Sequence, residues 1–185
     1  MAERLQAIAR FRAALAAEIE TLAATLTAEV GKPIRQARNE VNGLLPRIDF
    51  FLAQAEATLG AQQVHDDGST REVLGFDPLG VVVNISAWNY PYFVGGNVFV
   101  PALLAGNAVL YKPSEHSTLT GLAITRLLHE AGVPADVFAP VVGGGPVGAA
   151  LLEQRVDGVY FTGSYGTGRR IAETMAPRLV RVQLE

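Results

Sequence analysis

An α/β fold with a parallel sheet is what this sequence predicts, and three observations carry the prediction. Beyond Gly80, short runs rich in β-branched residues alternate with longer amphipathic stretches, the pattern of right-handed crossover units. Before Gly60, apolar residues recur only at helical spacing. Between the two lies a polar stretch with a turn signal and no helical period. At 185 residues, 49% of them apolar, the chain suffices for one domain, or for one domain with a helical appendage.

Leu5, Ile8, Leu15, Ile19, Leu22, Leu26 and Val30 form one stripe, predicting a single long helix with Glu, Arg and Gln opposite. Gly31-Lys32-Pro33 ends it, since glycine permits a left-handed cap and proline blocks continuation. A second helix is predicted from about residue 34 to 57, turning Val41, Leu44, Leu45, Ile48, Phe51 and Leu52 inward. Pro46 costs it one hydrogen bond and introduces a kink. Residues 1–59 therefore read as a helical hairpin packed on the rest.

Within residues 60–78, segments 62–64 and 70–74 flank the turn His65-Asp66-Asp67-Gly68-Ser69 and read as a β-hairpin. Residues 79–185 read as the sheet domain. Strands are expected at 81–86, 108–112, 137–142, 158–162 and 180–184. Helices are expected at 99–105, 119–130, 147–153 and 166–175. This order predicts a Rossmann-like parallel sheet with flanking helices, in which ligands bind beyond the carboxyl ends of the strands.

Composition excludes several functions. A net charge of -3 and a pI near 5.6 leave no basic face, so nucleic acid is not an expected partner. The chain has no cysteine, which excludes disulfides and thiolate metal sites and suits a reducing, cytoplasmic setting. Charges in the first turn argue against a signal peptide. The longest apolar run, Tyr92 to Tyr111, is interrupted by Gly95, Gly96, Asn97, Pro101, Gly106 and Asn107. It reads as a buried helix and strand, so no membrane partner is expected. His65, His116 and His129 lack any metal-ligand spacing, and no metal is expected.

The strand ends hold the residues suited to chemistry. Lys112 is one of two lysines, the other being Lys32, and it stands at the carboxyl end of a strand. With Glu115 three residues on, it can bind the hydroxyls of a nucleotide ribose, or the two can form a plain solvated ion pair. Gly143-Gly144-Gly145-Pro146-Val147-Gly148 formally matches a phosphate-binding glycine turn. No acidic residue ends a strand about twenty positions later and Pro146 interrupts the turn, so a tight strand-to-helix turn fits as well. Phe161-Thr162-Gly163-Ser164-Tyr165-Gly166-Thr167-Gly168 is the better cradle, joining strand to helix with small residues and hydroxyls. Asn89 follows the first strand, where an amide can serve a developing oxyanion or simply a turn.

Taken together, Asn89 with Pro91, the segment from Pro101 to Asn107, Lys112-Pro113-Ser114-Glu115, Ala131-Gly132-Val133-Pro134, Phe161-Thr162-Gly163-Ser164 and Gln183-Leu184-Glu185 resemble the aldehyde dehydrogenase family in order and spacing. Gly31-Lys32-Pro33 resembles it too. The resemblance implies NAD, with NADP also possible, and oxidation of an aldehyde to a carboxylate. It implies that Asn89 donates to the oxyanion of a hemithioacetal and that Glu185 is the general base. The backbone of Ser86, Ala87 and Trp88 would line the nicotinamide side. Lys112 and Glu115, with Ser114 between them, would bind the adenosine ribose, and Gly145 and Gly148 would lie beside the adenine. Phe161 and Ser164, with Gly163 and Thr167 in the same turn, would serve the pyrophosphate. The 60–78 hairpin would belong to an oligomerisation arm, making a homo-oligomer the expected state.

The family works through a cysteine thiolate, which this chain lacks. The resemblance therefore implies the cofactor-binding portion of such an enzyme, cut before its thiol-bearing domain and inert alone. A non-catalytic nucleotide-binding module and a structural assembly domain are the alternatives. An uncovered last strand predicts self-association.

Overall fold

A computed structural model describes residues 1–185. Its sheet grows from β3 (Val81–Ile85), which pairs in parallel with β4 (Ala108–Lys112) on one edge and β6 (Gly158–Phe161) on the other. β5 (Phe138–Pro140) lies outside β4, and β7 (Arg181–Leu184) outside β6, so the order is β5-β4-β3-β6-β7 with every pair parallel. Strands buried on both faces are expected to be continuously apolar, and β3 is Val-Val-Val-Asn-Ile. Val82 enters the core on one face and Val83 the core on the other. The exception, buried Asn84, donates from Nδ2 to the Gly95 carbonyl at 3.2 Å.

Helices cover the two faces unequally. On one side α4 (Pro91–Leu104) and α5 (Thr118–Glu130) lie against the sheet, and α1 (Ala2–Ala17), α2 (Ile19–Val30) and α3 (Ile34–Leu59) pack outside them. On the other side α6 (Gly145–Glu153) and α7 (Tyr165–Met175) form a single thin layer. The thick side holds a core of 28 buried residues and the thin side one of 8, so most hydrophobic stabilisation comes from the helical side.

Two neighbouring glycines set the spacing of the thick side. A Cβ on Gly95 would lie 3.2 Å from the Tyr111 hydroxyl on β4, and one on Gly96 would lie 2.5 Å from Leu44 Cδ1 on α3. Without side chains there, α4 approaches the sheet and α3 at once. Its Phe99 packs edge-on against Phe11, Tyr111 and Phe138, with ring centroids 6.0, 5.6 and 5.5 Å away.

Several elements differ from the sequence reading. The expected single long helix is two: α1 and α2 meet at Glu18, whose backbone (φ -109, ψ 15) leaves the helical region. The bend brings Glu18 to Arg126 on α5 at 2.6 Å, and Glu29 to the first amides of the same helix. The N-terminal region is thus three helices rather than a hairpin, and tertiary contacts override an unbroken periodicity. Phe11, three residues past Ile8 and four before Leu15, belongs on the predicted stripe although the stripe as read passes over it, and it is buried in the aromatic cluster. α4 begins at Pro91 rather than Phe99, because Gly95 and Gly96 are packing positions and not breaks. Pro91 is its first residue, where a missing N–H costs nothing. α6 begins at Gly145, so Pro146 does not interrupt a turn: it stands at the equally tolerant start of the helix. Pro46 is accommodated inside an uninterrupted α3.

In the chain between α3 and β3, β1 (Gln62–Asp66) and β2 (Arg71–Leu74) form an antiparallel hairpin with an irregularity between Gln63 and His65. Asp67 ties its turn, accepting from the Ser69 and Thr70 amides and the Ser69 hydroxyl, which hold its carboxyl well below the usual range. Every residue of both strands is exposed.

Phe99→Ala is expected to cost about 3–5 kcal/mol and Gly96→Ala about 1–3 kcal/mol in urea unfolding, from cavity formation and overpacking respectively. β7 pairs on one edge only and exposes Val182 and Leu184. Sedimentation at micromolar concentration should therefore show self-association that Val182→Lys reduces, the usual effect of a charge on an edge strand. A monodisperse wild-type monomer would contradict this.

Candidate functional site

All strands run the same way, but the direction in which they are added to the sheet reverses between β3 and β6: β4 and β5 build outward on one side, and β6 and β7 on the other. Such a switch point separates the loops at the carboxyl ends and opens a crevice between them. A cleft of about 1140 Å³ occupies this position, walled by the segments after β3, β4, β6 and β7 and by the first turns of α6 and α7.

Ser86, Ala87, Trp88 and Asn89, following β3, form one wall. Ser86 is buried, its amide donates to the Lys112 carbonyl at 3.0 Å, and its Oγ has no partner. Trp88 is half exposed and stands edge-on to His116 at 6.4 Å. Asn89 is held through its carbonyl, which accepts from Lys32 Nζ at 2.8 Å.

At the carboxyl end of β4 and just past it the chain offers Lys112, Ser114 and Glu115. Lys112 is only 4% exposed, yet its ammonium makes a single long hydrogen bond, 3.3 Å to the Pro113 carbonyl, and lies 3.9 Å from Glu115. Burial pushes this lysine below its ordinary range, and Glu115 partly opposes the shift. Ser114 accepts from the His116 amide at 3.3 Å and caps the single 3-10 turn that carries Glu115. The first turn of α6 closes on this pair: a Cβ on Gly148 would stand 3.4 Å from Lys112 Cε, and one on Gly144 3.6 Å from Glu115 Oε1. A Cβ on Gly145 would meet nothing within 4 Å, so the cleft is open at that point.

Phe161 closes β6, and Gly163, Ser164 and Thr167 follow it. The Phe161 ring lies against the turn from below, where a Cβ on Gly163 would come within 2.5 Å of it. Ser164 caps α7, accepting weakly from the Thr167 amide at 3.4 Å and bonding the Thr167 hydroxyl at 3.1 Å. The amides of Tyr165 and Gly166 in that first turn have no helical acceptor, which suits an anion. Glu185 reaches the same place from β7, its amide donating to the Phe161 carbonyl at 2.9 Å and its carbonyl accepting from Gly163 at 3.0 Å.

Every residue given a role on the sequence thus borders one cleft. Sequence reasoning missed Arg170 and Thr174, which line it from α7, and Glu153 from α6. A signal was present: Thr167, Arg170, Ile171 and Thr174 follow the spacing of one helical face. The donors suit an elongated ligand carrying hydroxyls and phosphates. A buried ammonium short of acceptors and a neighbouring carboxylate fit a ribose, and the free amides at α7 fit a pyrophosphate.

The comparisons agree with this geometry. The model of the aldehyde dehydrogenase family matches residues 1–185. A putative succinate-semialdehyde dehydrogenase (NADP+) of Mycolicibacterium smegmatis is 37% identical over 187 residues, covering 100% of this chain and 36% of that protein. The crystal structure of an NAD-dependent aldehyde dehydrogenase from Sinorhizobium meliloti superposes with a TM-score of 0.93 at 36% identity, covering 100% of this chain and 37% of that one. Betaine aldehyde dehydrogenase of Staphylococcus aureus, solved as a point mutant in complex with NAD+, gives a TM-score of 0.93 at 28% identity, covering 100% and 38%. The chain spans about a third of the length of the curated relatives it matches. On sequence and structure together, the chain belongs to the aldehyde dehydrogenase family.

Proposed function

We propose that this chain supplies the nucleotide-binding part of an NAD(P)-dependent aldehyde dehydrogenase, an enzyme that oxidises an aldehyde to a carboxylic acid. The observation that carries the reading is the convergence of Asn89, the Lys112 and Glu115 pair, the Ser164 turn and Glu185 on one cleft at the sheet's switch point. A nicotinamide cofactor bound here would supply the oxidant of the reaction, as the acceptor of a hydride from the substrate carbon. Lys112 and Glu115 hold the adenosine ribose hydroxyls, with Ser114 fixing the turn that carries Glu115. Gly145 and Gly148 leave room for the adenine, and the amides following Ser164 receive the pyrophosphate, with Phe161 and Gly163 shaping the turn and Thr167 locking its cap. The Ser86–Trp88 backbone lines the nicotinamide side. Asn89 donates its amide to the negative oxygen that forms at the substrate carbon, and Glu185 takes a proton from attacking water.

The reaction's nucleophile is not among these residues, since the chain has no cysteine. Alone, the 185 residues bind without turning over. Glu115 favours NAD over NADP, because its carboxylate repels a 2′-phosphate. The β1–β2 hairpin exposes Val64, Val73 and Leu74, which supports its use as an arm between subunits of a homo-oligomer. A cysteine-free composition accords with a cytoplasmic setting. No helix is long and apolar enough to cross a membrane.

Binding is the direct test. NAD+ at a hundredfold excess over its dissociation constant should raise the unfolding free energy by about 2.7 kcal/mol. No stabilisation by millimolar NAD+, NADP+ or AMP would sink the proposal. Lys112→Met should weaken AMP binding about tenfold or more without lowering stability in calorimetry, since it removes a buried, poorly paired charge. Glu115→Gln should improve binding of 2′,5′-ADP relative to AMP, and an unchanged ratio would remove Glu115 from cofactor selection.

A further inference from the structure

The chain carries thirteen arginines, none of them buried, and two lysines, both buried. Lys112 lines the cleft, but Lys32 does not. Lys32 lies in the link between α2 and α3, where its ammonium meets Glu40 of α3 at 2.5 Å. Glu40 is 4% exposed. A buried ion pair is a poor stabilising device, since desolvation consumes most of its attraction. This one spends its remaining hydrogen bonds on a single stretch of backbone, residues 89–93.

Glu40 Oε1 accepts from the Tyr92 amide at 2.8 Å and the Phe93 amide at 3.4 Å. Those are the second and third residues of α4, and neither Tyr90 nor Pro91 supplies a local cap. Lys32 Nζ donates to the Asn89 carbonyl at 2.8 Å and stands 3.4 Å above the centre of the Tyr90 ring. Among all backbone groups of residues 87–89, the Asn89 carbonyl is the one that makes a hydrogen bond within the chain, and Lys32 is its donor. The loop that walls one end of the cleft is therefore anchored by β3 at Ser86 and by this buried pair at Asn89.

We propose that Lys32 and Glu40 are positioning residues, holding the Ala87–Asn89 wall and the start of α4 so that the Asn89 amide and the loop backbone stand preformed in the cleft. The assignment of that wall to the nicotinamide end rests on the dinucleotide reading above; the anchoring itself does not. Lys32 supplies direction, fixing the Asn89 peptide plane from behind. Glu40 supplies the helix cap and holds the ammonium in place.

Trp88, the only tryptophan of the chain, lies within this loop and reports on it directly. The test compares Lys32→Met with the wild-type chain. Acrylamide quenching of Trp88 should increase while far-UV circular dichroism is retained. NAD+ binding should weaken about tenfold, the scale of one hydrogen bond from a charged donor, while AMP binding stays unchanged. A purely structural role would affect both ligands alike, and such a result overturns the proposal, as does unaltered quenching in a folded variant. If the wild-type chain binds neither ligand, the dinucleotide reading fails, and Trp88 quenching still decides the anchoring. Should Lys32→Met not fold, the wild-type Trp88 and Asn89 amides are measured by NMR relaxation. Order parameters near the rigid value of about 0.85 support the proposal, and values below about 0.6 overturn it.

Discussion

β3 is buried on both faces, so its amides and carbonyls have nowhere to go except into neighbouring strands on both edges. That constraint organises the molecule. It requires one strand sequence, Val-Val-Val-Asn-Ile, to serve two cores at once and to accept β4 and β6 in matching register. The cleft follows, because a strand extended to both sides by parallel crossovers must part its neighbours' loops at its own carboxyl end. Ser86, the first residue past β3, is consequently buried at the base of that parting, with its amide still paired to β4's Lys112.

The helical layer is attached by a second device, carboxylates that cap helices from a distance. Glu40 of α3 accepts from the first amides of α4, and Glu29 of α2 accepts from Leu119, Thr120 and the Thr120 hydroxyl of α5. Neither helix starts with an Asp, Asn, Ser or Thr side chain bonded to its own first turn. A negative charge at a helix N-terminus is favourable wherever in the chain it originates. Supplying it from α2 and α3 makes the register of α4 and α5 depend on the N-terminal helices.

This arrangement explains what the sequence disclosed. The periodicities of the strands are local, and β4 lies over the residues predicted for it. The hairpin turn at Asp67 is equally local, its carboxylate bonding residues two and three positions on. The start of α4 was hidden because its cap is Glu40, more than fifty positions earlier. The break at Glu18 was hidden because the stripe from Leu5 to Val30 keeps its period through it. The residues bordering the cleft were legible because strand ends are legible, and motif order could then be set on them. In the sequence Lys32 shows itself only in a helix stop and a family-like triplet, since its partners, the Glu40 carboxylate, the Asn89 carbonyl and the Tyr90 ring, are linked to it by no spacing rule. Arg170 is hidden for a simpler reason: it lies in the second turn of α7, beyond the glycine and hydroxyl motif that ends at Gly168, and only helical spacing links it to Thr167.

The separation between the helical layer and the strands it covers also sets an order of events. During synthesis α1, α2 and α3 leave the ribosome before α4, α5 and the sheet strands, so until those emerge they can pack only on one another and the faces meant for α4 and α5 stay uncovered. The β3–β6 pairing must then close a loop that contains two other strands and three helices, a non-local contact of the kind that slows folding. Until it closes, the larger core is half built and its surface open to other chains. The thick side of the sheet, the source of most of the molecule's stability, is thus also its longest exposure to misassembly.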